Sequence, residues 1–372
     1  MTTEFYTRKI SVFLFTCSLL LSTFAFSNSN VMAGPASRQY ELLNRELNRY
    51  YNISKSGGWK KITLTKKYYT RGETDNVITL VKQRLQATGD YNGEMSPFFN
   101  DELANAILKV EKAYGLKKYP AIDADLVKAL NVPVQKRIEQ LQVNMERLQS
   151  APPETEGTRL VVNIPEFKLH VYEGSDEVFN MPVVVGKDGT KTVTFNDKME
   201  YIVFSPYWNV PTSIVENEIL PAVRRDHTYL KRNGYEIVGH SGGVPDIRQK
   251  PGPENSLGLV KFVFPNSHNI YFHDTPAKSL FKFEKRDYSH GCIRLAEPAK
   301  LANYLLQNSS GWTPERIREA MHSGRQQVVK LPHAVPVYIT YFTAWVDQDN
   351  VLNFREDIYG HDSGGVKRVA MK

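Results

Sequence analysis

Leu160-Val161-Val162-Asn163-Ile164, Lys168 to Tyr172 and Met181 to Val185 are β-rich runs separated by Gly, Pro and Asp turns, and their reading decides the fold class. Before Gly157 the periodicity is helical instead. Asn100-Asp101-Glu102 caps a run with apolar residues at Leu103, Ile107, Val110 and Tyr114, which stops at Gly115. Val77, Leu80, Val81 and Leu85 make a similar stripe after Thr74-Asp75, and Ala124 to Leu130 is a short third segment. In a connector helix Ile138, Leu141, Met145 and Leu148 recur at alternating spacings of three and four, until Ala151-Pro152-Pro153 ends it. The pattern predicts an α+β chain. A helical region at 34–70, a small helical module at 71–131 and a connector at 132–157 lead into a β-dominated, sandwich-like domain at 158–332, with closing strands and a tail at 333–372.

Residues 205–253 break the strand pattern. They are rich in Pro, Asn, Gly and Tyr, and hold Pro206-Tyr207-Trp208-Asn209-Val210-Pro211 and a basic, helical-looking stretch to Arg232. An insertion of this kind on a rigid scaffold reads as a candidate lid, with Tyr207 and Trp208 as candidate substrate-lining residues. Strands resume at Val260 to Phe264 and Asn269 to His273. Period two places Tyr271 and His273 on one face of the second strand, and Ile270 and Phe272 on the other. Pro298 to Leu306 then reads as a helix and Val335 to Trp345 as closing strands.

The first 33 residues read as a secretory signal: Arg8 and Lys9 precede an apolar stretch from Ser11 to Phe26, and Val31-Met32-Ala33 offers small residues for cleavage. That stretch is short for a membrane span, so a membrane contact is expected only if the signal is retained. A net charge of +7 suits an anionic polymer as partner. The excess is spread out, without a dense Lys/Arg stripe or an RNA-type aromatic motif, which argues against nucleic acid. Arg224-Arg225 and Lys282 to Arg286 read as solvated faces. His240, His268, His273 and His290 show no paired ligand spacing, so neither metal nor other cofactor is expected.

Cleavage of the signal removes Cys17 and leaves Cys292 as the one thiol, either a buried small hydrophobe or a nucleophile. Its setting, Ser289-His290-Gly291-Cys292-Ile293-Arg294, with Tyr271-Phe272-His273-Asp274 upstream, favours the nucleophile. A thiol attacks as thiolate and needs a base or a positive field beside it. His273, at a strand end with an outward-facing ring, is the first candidate for that base, and His290 ranks second, as a substrate or structural contact. Gly291 permits a tight turn, after which the N–H groups of Gly291 and Cys292 could stabilise an oxyanion. Tyr271, Ser289 and Arg294 are further candidates for substrate contact.

His273 with the 289–294 hexapeptide resembles the signature of the L,D-transpeptidases with a YkuD-type catalytic domain. The likeness continues through Asn163-Ile164-Pro165, Val185-Gly186, the 206–211 segment, Ile247-Arg248-Gln249, Pro251-Gly252-Pro253 and Lys261-Phe262-Val263-Phe264-Pro265-Asn266, in the manner of the larger, Gram-negative branch. The resemblance implies a periplasmic enzyme acting on peptidoglycan stem peptides. Cys292 would attack the carbonyl of the third stem residue, release terminal D-alanine and pass the acyl group to an amine of a neighbouring stem, giving a 3→3 crosslink. His273 would serve as base and then acid, and Arg294 would hold a substrate carboxylate or brace its loop. Same-fold hydrolysis of the stem and non-catalytic wall binding are the rival readings. The 71–131 module is similar to peptidoglycan-binding modules, which implies glycan contact, but it departs from them at Val110-Glu111 and Lys117-Lys118-Tyr119-Pro120.

Overall fold

The computed structural model describes residues 35–151 and 157–364; the expected signal and Cys17 lie outside them, as does the end of the tail. Five helices open the described chain: α1 (Pro35–Lys55), α2 (Asn76–Ala87), α3 (Asp101–Tyr114), α4 (Ala124–Leu130) and α5 (Val134–Arg147). Three begin at side-chain caps, two of them at the positions the sequence marked and the third at Asp123. Asp75 accepts the N–H of Val77, Asn100 that of Leu103 and Asp123 that of Leu126. Gly115 ends α3 at φ 68°, where a side chain would be strained. The apolar stripes meet in one core that includes Val81, Leu85, Leu103, Ile107, Leu130, Ile138 and Leu141. Leu43 and Tyr50 of α1 belong to the same core, so the 34–70 region packs with the module that follows it.

The two departures of this module from its look-alikes are physically joined. The Glu111 carboxylate is buried and accepts the Tyr119 N–H at 2.8 Å, pinning the Lys117–Pro120 turn to α3. Burial pushes Glu111 up to about 7, with Asp123 adding to the effect against the Tyr119 hydrogen bond. A carboxyl whose folded pKa lies above its unfolded value stabilises fully below about 4.5 and loses that contribution as pH rises through 7. Glu111→Gln keeps an acceptor for Tyr119 and removes the titration. Chemical denaturation of the two proteins between pH 4 and 8 should therefore show a falling midpoint in the wild type and a flatter one in the variant; parallel curves would refute the assignment.

The β-rich part begins with β1 (Thr158–Asn163), β2 (Lys168–Glu173), β3 (Asp176–Gly186) and β4 (Phe195–Phe204). The 205–253 insertion then folds on its own terms. It holds β5 (Trp208–Asn209), then α6 (Thr212–Ile214), which continues through a π turn (Val215–Ile219) into α7 (Leu220–Arg225), and finally α8 (Tyr229–Arg232), β6 (Tyr235–Ser241) and β7 (Val244–Gln249). Its strands make a separate three-stranded sheet, and Val210, Val215, Ile219 and Ile247 form a separate small core. Asn255 ties the neck of this cap, donating to the carbonyls of Pro206 (3.1 Å) and Lys250 (2.9 Å).

The main sheet resumes with β8 (Val260–Val263), β9 (Phe272–His273), β10 (Asp287–Ser289) and β11 (Ile293–Leu295); α9 (Pro298–Leu306) and α10 (Pro314–His322) precede β12 (Gln327–Thr340). Nine strands form one sheet in the order β10-β3-β11-β9-β8-β4-β12-β1-β2, and because β2 also pairs with β3 the sheet closes on itself. Its interior is the main core, with Leu160, Leu169, Val183, Ile202, Phe262, Phe272, Ile293 and Val337 among the enclosed residues. β12 runs through the boundary expected at 332 and pairs with both β1 and β4, so residues 333–340 are an interior part of the sheet.

The chain then turns back to the helical region. β13 (Ala344–Val346) and β14 (Leu352–Phe354) form a hairpin whose Ala344, Val346 and Phe354 enter the helical core. Asn144 of α5 exchanges hydrogen bonds with Thr343, and Arg147 pairs with Asp362 at 2.7 Å. The expected closing strands thus join the two parts. Arg286, expected on a solvated face, is buried and donates to the carbonyls of Val183, Phe283 and Phe167; Arg224 and Arg225 are exposed. Among the described residues no helix is long and apolar enough to cross a membrane.

Candidate active site

Three neighbouring strands build the site. β8 runs antiparallel to β9 with Lys261 opposite His273 and Phe262 opposite Phe272. β11 runs parallel to β9 with Ile293 opposite Phe272 and Arg294 opposite His273. Phe262, Phe272 and Ile293 are wholly buried in the core, so by alternation Lys261, His273 and Arg294 form a row on the other face. Tyr271 and Cys292 lie one period back on that same face. The Tyr271 and His273 rings meet edge to face, with centroids 5.7 Å apart, as period two requires.

The loop carrying the thiol is fixed from both sides. Ser289 Oγ donates to the Cys292 carbonyl (2.6 Å) and accepts the Gly291 N–H (3.1 Å). Thr192 Oγ1 donates to the Gly291 carbonyl at 2.8 Å, and Thr190 Oγ1 to that of Ser289 at 3.1 Å. Gly291 has φ 109°, a conformation that a side chain rarely adopts, which is the local reason for glycine before the cysteine. Of the two expected oxyanion donors, the Gly291 N–H is therefore occupied inside the loop. The Cys292 N–H has no acceptor among the described residues. Ser289 is a brace of this turn, buried and without a free face toward substrate.

Cys292 is half-buried, and its thiol donates to the Asn269 carbonyl at 3.6 Å. Asn269 stands at φ 54°, a left-handed conformation that Asn tolerates, in a turn held by the Asn266 side chain. Burial pushes the thiol up, while contacts with Tyr271 and the charges of Lys261 and Arg294 pull against it. The Tyr271 phenol is driven up by burial and by its position beside Cys292. The resting sulfur is thus mainly a protonated thiol in a positive field.

His273 was expected to face outward; its ring is instead enclosed, with 4% of the residue exposed. The cause is the row it belongs to, where Lys261 and Arg294 stand on either side. Its Nδ1–H donates to the Asp274 carbonyl at 2.5 Å, which leaves Nε2 as the ring's acceptor. Asp274 is itself held by the Leu259 N–H (2.9 Å) and Lys278 (2.5 Å). Burial and the charges of Arg294 and Lys261 push His273 down to about 3, so the ring is neutral at working pH. An imidazolium paired with a thiolate in the resting state is therefore disfavoured. The Cys292 thiol hydrogen bond goes to Asn269, and the His273 ring makes none with the sulfur among the described residues.

His290, two residues from the thiol, is engaged with the cap. Its Nε2 meets Glu218 Oε1 of the cap at 2.8 Å, and Glu218 sits on the π turn, an irregularity often found at functional positions. Trp208 packs within the cap near Tyr235, and its indole also reaches the Tyr271 phenol. Tyr207 lies half-buried under the Arg248 guanidinium, 4.2 Å from ring centroid to Cζ, which makes it a loop anchor. Sequence patterns missed Lys261, Asn269, Asp274 and Glu218. Only the alternation of Lys261 with buried Phe262 offered a signal. A cavity of about 200 Å³ lies elsewhere, between α1 and β1 and β2, lined by Leu43, Arg159, Glu166, His170 and others. Among the described residues no group of His, Cys, Asp and Glu is arranged to hold a metal ion.

A thiol, an enclosed imidazole and two cations on one face of a closed β-sheet, touched by a folded cap, define a cysteine-bearing polar site on a β-domain. The family model of the YkuD L,D-transpeptidase catalytic domain matches residues 157–363, and the chain belongs to that family. A Haemophilus influenzae protein that carries a provisional name as an L,D-transpeptidase is 32% identical over 240 residues, which are 60% of this chain and 48% of that protein. The chain thus spans about half the length of that relative. Among solved structures, an L,D-transpeptidase from Stackebrandtia nassauensis is 15% identical over 73% of this chain and 94% of that one, with a TM-score of 0.28. An L,D-transpeptidase from Mycobacterium smegmatis is 13% identical over 49% and 58% of the two chains, with a TM-score of 0.27. At these scores the likeness adds nothing to the family assignment.

Proposed function

We propose that this protein is a peptidoglycan L,D-transpeptidase that works outside the cytoplasm, with Cys292 as nucleophile and His273 as general base and then acid. The observation that supports it best is the shared face of Cys292, Tyr271 and His273, with the imidazole oriented through Asp274 so that Nε2 can accept a proton. In this reading His273 takes the thiol proton as sulfur attacks the carbonyl of the third stem residue, and returns it to the departing D-alanine amine. The free Cys292 N–H is a donor for the oxyanion. An amine of a second stem then attacks the thioester. Muropeptide analysis of tetrapeptide-rich sacculi treated with the purified protein tests this: 3→3 crosslinked dimers support it, whereas tripeptides alone would assign the hydrolytic reading. Glycan contact by the helical module belongs to the same proposal, and binding of the isolated sacculi at low turnover reports on it.

The cap favours transfer over hydrolysis in this scheme, because it covers the thiol loop while the thioester awaits its acceptor. The Glu218–His290 pair is the contact that joins cap and loop. An exposed ion pair contributes up to about 1 kcal/mol, so Glu218→Ala should raise the ratio of hydrolysed to crosslinked product by up to about fivefold. An unchanged ratio in a folded variant would count against a gating role for this contact.

A further inference from the structure

Lys261 and Arg294 are half-buried cations on the thiol face, and neither has a carboxylate within ion-pair distance among the described residues. Lys261 Nζ rests 3.8 Å from the centre of the Tyr271 ring. Arg294 Nε is buried and has no hydrogen-bond partner. Burying one charge without a counter-ion is costly; two beside a reactive centre call for an anion that arrives later. Two carboxylates of the described residues that belong to this site are committed elsewhere: Asp274 to Lys278 and the Leu259 N–H, and Glu218 to His290. The groups sharing the face are Tyr271, His273 and Cys292, none of which is an anion in the resting state.

We propose that Lys261 and Arg294 together form the site for the free carboxylate of the leaving residue, so that Lys261 is a specificity-determining residue that admits a donor stem ending one residue beyond the scissile bond. This rests on the transpeptidase reading above. In such a donor the terminal carboxylate is separated from the scissile nitrogen by a single carbon, so an anion site beside the thiol is where it must lie. A donor extended by a further residue, or capped as an amide, places a neutral amide there and leaves both cations unpaired. Carboxylate binding would also offset the two charges that add to burial in keeping His273 from accepting a proton, coupling recognition of the correct donor to activation of the base.

Two measurements on the whole protein test this. The first compares kcat and KM for a tetrapeptide donor and for its C-terminal amide. The wild type should prefer the free acid by roughly ten- to hundredfold, the worth of a charge-assisted contact. Lys261→Met should lose most of that preference, through KM more than kcat, and Lys261→Arg should restore part of it. The second compares alkylation of Cys292 by iodoacetate and iodoacetamide, which differ in charge and need no substrate turnover. The iodoacetate to iodoacetamide rate ratio should fall several-fold in both Lys261→Met and Arg294→Gln. Ratios unchanged in folded variants would overturn the proposal. If the wild type turned over neither donor, the transpeptidase reading would fail by itself, and the alkylation ratio would still decide whether these cations form an anion site.

Discussion

Cys292→Ala should lose turnover by about 10⁴-fold or more while the protein stays folded, because in the proposed mechanism the substitution deletes the covalent step itself. The sulfur is half-buried, donates one long hydrogen bond to the Asn269 carbonyl and otherwise contacts Tyr271. Its removal should therefore cost no more than about 1 kcal/mol. The Ser289 and Thr192 braces act on backbone carbonyls and do not depend on the side chain at 292. Thermal unfolding and muropeptide analysis of the same preparation separate the two effects. Crosslinking at the wild-type rate in a folded Cys292→Ala protein would end the cysteine mechanism; an unfolded variant would be replaced by Cys292→Ser, which keeps the volume and lacks the thiolate.

His273→Gln should lower turnover by about 10²- to 10⁴-fold, the usual loss on removing a general base. His290→Ala should lower it far less, since His290 is exposed and engaged with Glu218 in the cap. A second signature does not depend on activity. His273 has a folded pKa of about 3 against 6.5 when unfolded, so the unfolded chain takes up a proton that the folded ring refuses. The stabilising contribution is complete above about 6.5 and is lost as pH falls toward 3. His273→Gln has no such titration, and its stability should decline less steeply between pH 6.5 and 4 than that of the wild type. Equal acid slopes would show that the ring is not held neutral by burial and by its two cationic neighbours. Equal turnover in the two histidine variants would remove His273 from its role as base.

Much of this architecture is written in local patterns. The caps at Asp75, Asn100 and Asp123 are short-range chemistry, since a side-chain oxygen satisfies an N–H two or three residues on. Period two at Tyr271 and His273 needs only the pleat, and the rings do meet. A glycine before Cys292 announces a backbone turn that few other residues can make. These features require no knowledge of what lies far away in the chain.

What failed was each reading that depended on a distant partner. The outward-facing His273 ring became an enclosed one because β8 and β11, far apart in sequence, bring Lys261 and Arg294 to either side of it. Arg286 left the solvated face assigned to it because the Phe167 and Val183 carbonyls converge on its guanidinium. Gly291 offers its N–H to Ser289 instead of to a substrate, which a loop's sequence does not reveal. The closing strands expected after 332 are present, but their packing against the helical core, where α5 presents Asn144 and Arg147 to Thr343 and Asp362, was not legible in the sequence.

The sequence by itself determined the order of helical and β-rich parts, the helix starts at Asp75 and Asn100 and the face that His273 shares with Tyr271. Only the tertiary structure decided strand register, the closure of the sheet through β2 and β3, the folded cap and the pair of cations on either side of the imidazole. The reason is physical. Periodicity and capping are interactions between residues a few positions apart, whereas register is chosen by which buried faces fit together across the whole core, and the charge environment of a side chain follows from that choice.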